Sequence, residues 1–153
     1  MLNQTVVFDS KQKFAPATSE IHDLAKELIE KYHPNLRSEG IIFVYKRKPK
    51  EDEYTSQLDF PEHPFIGVAK IVKEQEKVAF EIPADINYLI ILNYNFWRVI
   101  NEAQMRKHLD FLLAQCRRKE TKHGDKYYIR KPDFSIIEEV ELRHREVSLL
   151  PLK

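Results

Sequence analysis

The six histidines, His22, His33, His63, His108, His123 and His144, are the residues best able to hold a metal ion or move a proton. No two stand three or four positions apart, the spacing that puts two imidazoles on one face of a helix. They read as surface or rim histidines. Cys116 stands on the apolar stripe expected of a helix, where a cysteine acts as a small hydrophobe rather than a nucleophile. A serine nucleophile would need a sharp G-x-S-x-G elbow, which is absent from the sequence. Gly40, Gly67 and Gly124 are isolated, so no glycine-rich loop cradles a phosphate. The acidic pairs Asp52/Glu53 and Glu138/Glu139 are consecutive, and consecutive helical residues do not face each other. They read as solvated surface, not as an acid–base dyad. A scattered set, His123, Asp125, Asp133 and His144, is the remaining enzyme reading, with nothing to gather it into one pocket.

Two basic clusters offer binding chemistry instead. Lys46, Arg47, Lys48 and Lys50 end one apolar run. Arg117, Arg118, Lys119, Lys122, Lys126 and Arg130 follow the longest helical pattern and interleave with Tyr127 and Tyr128. His123 and Lys131 lie among them. Cations with stacking aromatics suit a nucleic-acid or partner contact. Glu120 and Asp125 dilute the patch, and Arg117–Lys119 also suit the C-terminal dipole of a helix.

The elements that must position these residues follow from pattern. Ile21, Leu24, Ala25, Leu28, Ile29 and Tyr32 recur at helical spacing behind Thr18 or Ser19, and Pro34 stops that helix after His33. Residues 41–47 and 65–72 read as strands, and Tyr88–Leu92 as a buried central strand. Lys73–Lys77 reads as a turn and Val78–Ile82 as a further short strand. Residues 48–64, broken by Pro49, Pro61 and Pro64, read as a long acidic loop. Thr5–Phe8 reads as an edge strand.

Asn93 caps a turn through Phe96 and Trp97. Asn101-Glu-Ala-Gln104 resembles a capping box for a helix whose stripe is Met105, Leu109, Leu112, Leu113 and Cys116. Lys126–Arg130 is extended, and Asp133 or Ser135 caps a last helix carrying Ile136, Ile137 and Val140. The order gives an α+β fold, with a small three- to four-stranded sheet covered on one face by about three helices. Residues 1–18 form an N-terminal arm, 19–148 a single domain and 149–153 an apolar tail.

Composition agrees with one ordinary globular domain. The chain has 153 residues, 42% hydrophobic and 32% charged. Lys+Arg is 25 against Asp+Glu 24, which excludes a bulk polycation. A single cysteine excludes an intrachain disulfide. There is no signal-peptide pattern and no apolar run near the roughly 20 residues needed to span a bilayer. A soluble, cytoplasmic protein without membrane contact is expected.

From Ile21 to Val147 the chain resembles the phage metallopeptidase family, a zincin-like group. The likeness rests on AKELIEKYHPNL at 25–36, the strand IIFVYKRK after it, GVAKIV at 67–72, NYLIILNYNFWRVINEAQMRKHLDFLLAQC at 87–116 and KYYIRKPDFSIIEEV at 126–140. The resemblance implies a zincin-like fold and an H-E-x-x-H directly after Leu109-Asp110. The residues standing there are Phe111, Leu112, Leu113, Ala114 and Gln115. Phe111 and Gln115 replace the two histidines and Leu112 the general base. The resemblance also implies a histidine where Pro132 stands. Zinc hydrolysis needs imidazole ligands and a carboxylate, so this site reads as degenerate.

The resulting expectation is a protein without metal, cofactor or catalytic residues that works by binding another protein. A host or defence component is the partner class that a phage origin implies. The candidate surfaces are the groove at Phe111, Leu112 and Gln115, the 48–64 loop and the Leu149–Leu152 tail, which would also serve a homodimer. The alternative is a nucleic-acid-binding module built on the basic 117–131 segment.

Overall fold

The computed structural model describes residues 14–37, 40–46 and 66–145. The expectations for Thr5–Phe8, for the 48–64 loop with His63, for Arg47, Lys48 and Lys50, and for the Leu149–Leu152 tail fall outside these residues. The described chain is mixed α+β. In order it holds β1 (Phe14–Pro16), α1 (Ser19–Tyr32), β2 (Ile41–Lys46), β3 (Gly67–Ile71), α2 (Glu74–Ala79), β4 (Tyr88–Asn93) and α3 (Tyr94–Trp97). These are followed by α4 (Glu102–Leu113), β5 (Cys116–Thr121), β6 (Gly124–Ile129) and α5 (Phe134–Arg143).

Four strands form one sheet in the order β1-β2-β4-β3. β2 and β4 run parallel, with Ile41 opposite Tyr88 and Tyr45 opposite Leu92. β1 and β3 pair antiparallel on the outside. β5 and β6 form a separate two-stranded hairpin. β4, central and apolar from Tyr88 to Leu92, is buried at Tyr88, Leu89, Ile90 and Leu92.

Strand alternation sends side chains to two cores. Ile41, Phe43 and Tyr45 of β2, with Tyr88, Ile90 and Leu92 of β4, meet the apolar stripes of α1 and α4 in the main core. Val44 and Leu89 face the other way with Ile42 and Ile91, where Phe80, Ile82 and Ile86 cover them. Helices α1 and α4 thus cover one face of the sheet, and the segment that follows residues 74–79 covers the other. Gly67 permits close strand approach, since a Cβ there would lie 2.5 Å from the Ile91 carbonyl oxygen.

Capping chemistry fixes the helix starts. The Asn101 side chain accepts from the Gln104 amide and Gln104 returns a bond to the Asn101 amide, at 2.8 and 3.0 Å. Asp133 accepts from the Ile136 amide at 3.0 Å. Trp97, fully buried, donates Nε1 to the Ile66 carbonyl at 2.7 Å and so ties α3 to the start of β3.

Two sequence expectations are corrected. Residues 74–79 are helix, not a turn leading into a strand. The Glu76 carboxylate accepts from the Lys73 amide at 2.9 Å and closes the first turn, while Val78 lies open to solvent instead of in a ladder. The α4 helix ends at Leu113, and Arg117–Lys119 belong to β5, not to its last turn. Tertiary pairing with β6 overrides the helical periodicity that continues to Cys116.

Candidate functional site

α4 is the hub of the molecule. α1 and the sheet pack on one side of it and α5 on another, so even Gln104, Lys107, His108 and Asp110 are buried. A buried charge must be paired. Lys107 meets Glu141 of α5 at 2.9 Å. Asp110, with no exposed surface, is met by four donors.

Those four bonds use both carboxylate oxygens. Oδ1 accepts from His33 Nε2 at 2.6 Å and from Arg143 Nη2 at 2.7 Å. Oδ2 accepts from Arg143 Nε at 2.7 Å and from His144 Nε2 at 2.8 Å. An ionised carboxylate only accepts, so each imidazole carries its proton on Nε2. A carboxylate has about four acceptor sites, and here all are filled. Burial pushes the Asp110 carboxyl up. The bonds from His33, Arg143 and His144 outweigh burial and hold it at about 2, against an ordinary 3.8.

The partners arrive from helix ends. His33 caps the C-terminus of α1, Arg143 is the last residue of α5 and His144 caps it. Tyr32 braces them, with its ring 4.6 Å from the Arg143 guanidinium carbon and edge-on to His144. Glu139 takes another Arg143 nitrogen at 2.6 Å. The cluster is a clamp joining α1, α4 and α5. Its carboxylate has no acceptor site left for a substrate proton. A guanidinium beside it, and Nε2 of both imidazoles already bonded to it, make this carboxylate unfit for a cation.

The positions next along α4 are apolar or internally satisfied. Leu112 is fully buried in the main core. Phe111 packs against Ala114, Ile136 and Val140 at the α5 contact. Gln115, also buried, donates Nε2 to the Phe111 carbonyl at 3.1 Å, and its own carbonyl accepts from the Arg130 amide at 2.8 Å. Among the described residues Phe111 and Leu112 take part in packing, and Gln115 is bonded to the chain's own backbone. Among the described residues no group of three or more His, Cys, Asp and Glu is placed to hold a metal ion.

The dispersed enzyme set does not assemble. His144 goes to Asp110, Asp125 lies 3.5 Å from Arg118, and Asp133 caps α5 while bonding Arg130 at 2.6 Å. His123 sits exposed in the hairpin turn. Hydrogen bonds from the Ile136 amide, Ser135 and Arg130 hold the Asp133 carboxyl far below the usual range. Burial pushes the Cys116 thiol up to about 12, so it stays protonated and inert at neutral pH. His108 is not at the rim but fully buried, edge-on to Phe96 and Trp97.

The basic segment forms the β5–β6 hairpin, and its register sorts the side chains. Arg117 lies opposite Tyr128 and Lys119 opposite Lys126. Arg118 lies opposite Tyr127 and Glu120 opposite Asp125. Tyr127 packs edge-on against Tyr88 at 5.8 Å, while Tyr128 is 38% exposed. Tyr88 in turn donates to the Arg117 carbonyl. Lys122 lies in the exposed turn, and Arg130 is engaged by Asp133 and Ser135.

No helix among the described residues is long and apolar enough to cross a membrane. A family model described as putative phage metallopeptidase matches residues 13–150. Neither the curated proteins nor the solved structures gave a match to the chain.

Proposed function

The chain belongs to the phage metallopeptidase family, and from that premise we propose that it is a non-hydrolytic member that works by binding another protein. One observation carries the reading: the side chains of Phe111, Leu112 and Gln115, where the family resemblance implies an H-E-x-x-H, are taken up by packing and a backbone hydrogen bond. A zinc ion held by that motif needs its two imidazoles, and its water needs the carboxylate base. A phenyl ring, an isobutyl group and an amide already bonded to the helix do not fit a zinc ion. Asp110 cannot substitute, because its four acceptor sites are occupied.

The outer face of α5 supports the binding half of the reading. Phe134, Ile137 and Leu142 are 80%, 46% and 60% exposed on this one helix. Large apolar side chains left open along one helix are surface that a protein partner can cover. A host protein, including a component of host defence, is the partner class that a phage family implies. A second copy of the chain is the other candidate, and the host cytoplasm the expected location.

Two experiments test the reading together. Purified chain supplied with zinc should release no more label from fluorescent casein than a blank. A folded Phe134→Glu/Ile137→Glu variant should lose the protein that the native chain retains from nuclease-treated host lysate. Chelator-sensitive hydrolysis by the native chain, or equal retention by the variant, would overturn it.

A further inference from the structure

We propose that the β5–β6 hairpin carries a binding face for single-stranded nucleic acid, made of Lys119, Lys126, Tyr128 and Arg117. Directly opposed residues of an antiparallel pair share a face. Arg117 with Tyr128 and Lys119 with Lys126 therefore lie on one face. Both acids, Glu120 and Asp125, lie on the other with Arg118, which Asp125 pairs at 3.5 Å. In sequence these acids dilute the cations; in the fold they are segregated from them.

The lysine pair is the informative feature. Like charges directly opposite on a hairpin destabilise it. Among the described residues neither Lys119 nor Lys126 enters an ion pair. A phosphate between them would relieve the repulsion. Arg117 is held in place by its Nε, which donates to the Ala114 carbonyl at 2.9 Å. Tyr128 supplies a half-open ring beside this cation, whereas Tyr127 is spent on Tyr88. Successive pairs on one face stand roughly 6.8 Å apart along a strand. A flexible polyanion can therefore track the row while a base stacks on Tyr128. An acidic peptide would match the charges but make no use of the ring. This face is independent of the α4 positions, so finding zinc would not remove it.

The test is fluorescence anisotropy with labelled oligodeoxythymidine of about 20 nucleotides, over roughly 50 to 200 mM salt. Native chain should bind, with affinity falling as salt rises. Lys119→Gln/Lys126→Gln should lower the slope of log affinity against log salt by about 1.4, near 0.7 for each lost single-strand phosphate contact. Tyr128→Ala should weaken binding about tenfold. Lys26→Gln/Arg98→Gln, two exposed cations elsewhere, should change affinity less than about twofold. The lysine variant should melt at or above the native temperature because a repulsion is removed, which separates lost binding from lost fold. No anisotropy change at low salt would overturn the proposal, as would equal loss in the control variant. Equally tight binding of a labelled oligoglutamate peptide would assign the face to an acidic protein instead.

Discussion

Asp110 and Arg143 meet side by side. Nε donates to Oδ2 and Nη2 to Oδ1, both at 2.7 Å, across 33 positions of sequence. Two parallel charge-assisted bonds fix orientation as well as distance. They set the end of α5 against the middle of α4, and His33 adds the end of α1 on the same carboxylate.

Breaking this pair from one side should be costly. Arg143→Met leaves Asp110 buried with only the histidines, and should lose about 3 kcal/mol in denaturant unfolding. Asp110→Leu/Arg143→Met should recover much of that, because no unpaired charge is left buried. A double variant less stable than Arg143→Met would show that the clamp does more than balance charge.

The clamp also sets an acid limit. The Asp110 carboxyl sits at about 2 when folded against an ordinary 3.8. A depressed carboxyl contributes stability that is fully present above its unfolded value and lost as pH falls through the folded one. About 2 kcal/mol should therefore drain away between pH ~4 and ~2. Stability measured against pH should show this limb, and Asp110→Asn should flatten it.

Leu112 separates a packing role from a catalytic one. Leu112→Glu places a carboxylate in the main core without a partner and should cost about 3 kcal/mol or more. Thermal melting followed by circular dichroism measures it. A variant that melts like the native chain would mean this position opens to solvent.

Trp97 is the only tryptophan, so its fluorescence reports the fold directly. Trp97→Phe should lose about 2 kcal/mol, from a vacated volume and an abandoned Ile66 carbonyl. Native emission should be blue-shifted and should move to the red in one step on unfolding.

Elements with strong local signals were legible in the sequence. The Asn101 and Asp133 caps, the stop at Pro34 and the apolar Tyr88–Leu92 run needed only neighbours within a few positions. The α2 helix was not legible, because six residues give too little periodicity to separate from a short strand. The end of α4 was hidden because Cys116 is buried either way, as the next helical position or the first strand residue.

The Asp110 clamp is not legible in the sequence. His33 and His144 stood out as titratable residues, but their partner lies 77 and 34 positions away. The sequence carries only a weak signal for it: Asp110 continues the Glu102–Arg106 row at a spacing of four, but it lies next to the apolar run Phe111–Leu113. The hairpin faces were equally invisible, since the segregation of Glu120 and Asp125 depends on register.

Zinc stoichiometry decides whether α4 still holds a metal. Chain purified without chelator, loaded with excess zinc, desalted and measured by inductively coupled plasma mass spectrometry should hold far less than one zinc per chain. One zinc per chain that a chelator removes, with a matching fall in melting temperature, would mean the chain keeps a working zinc site.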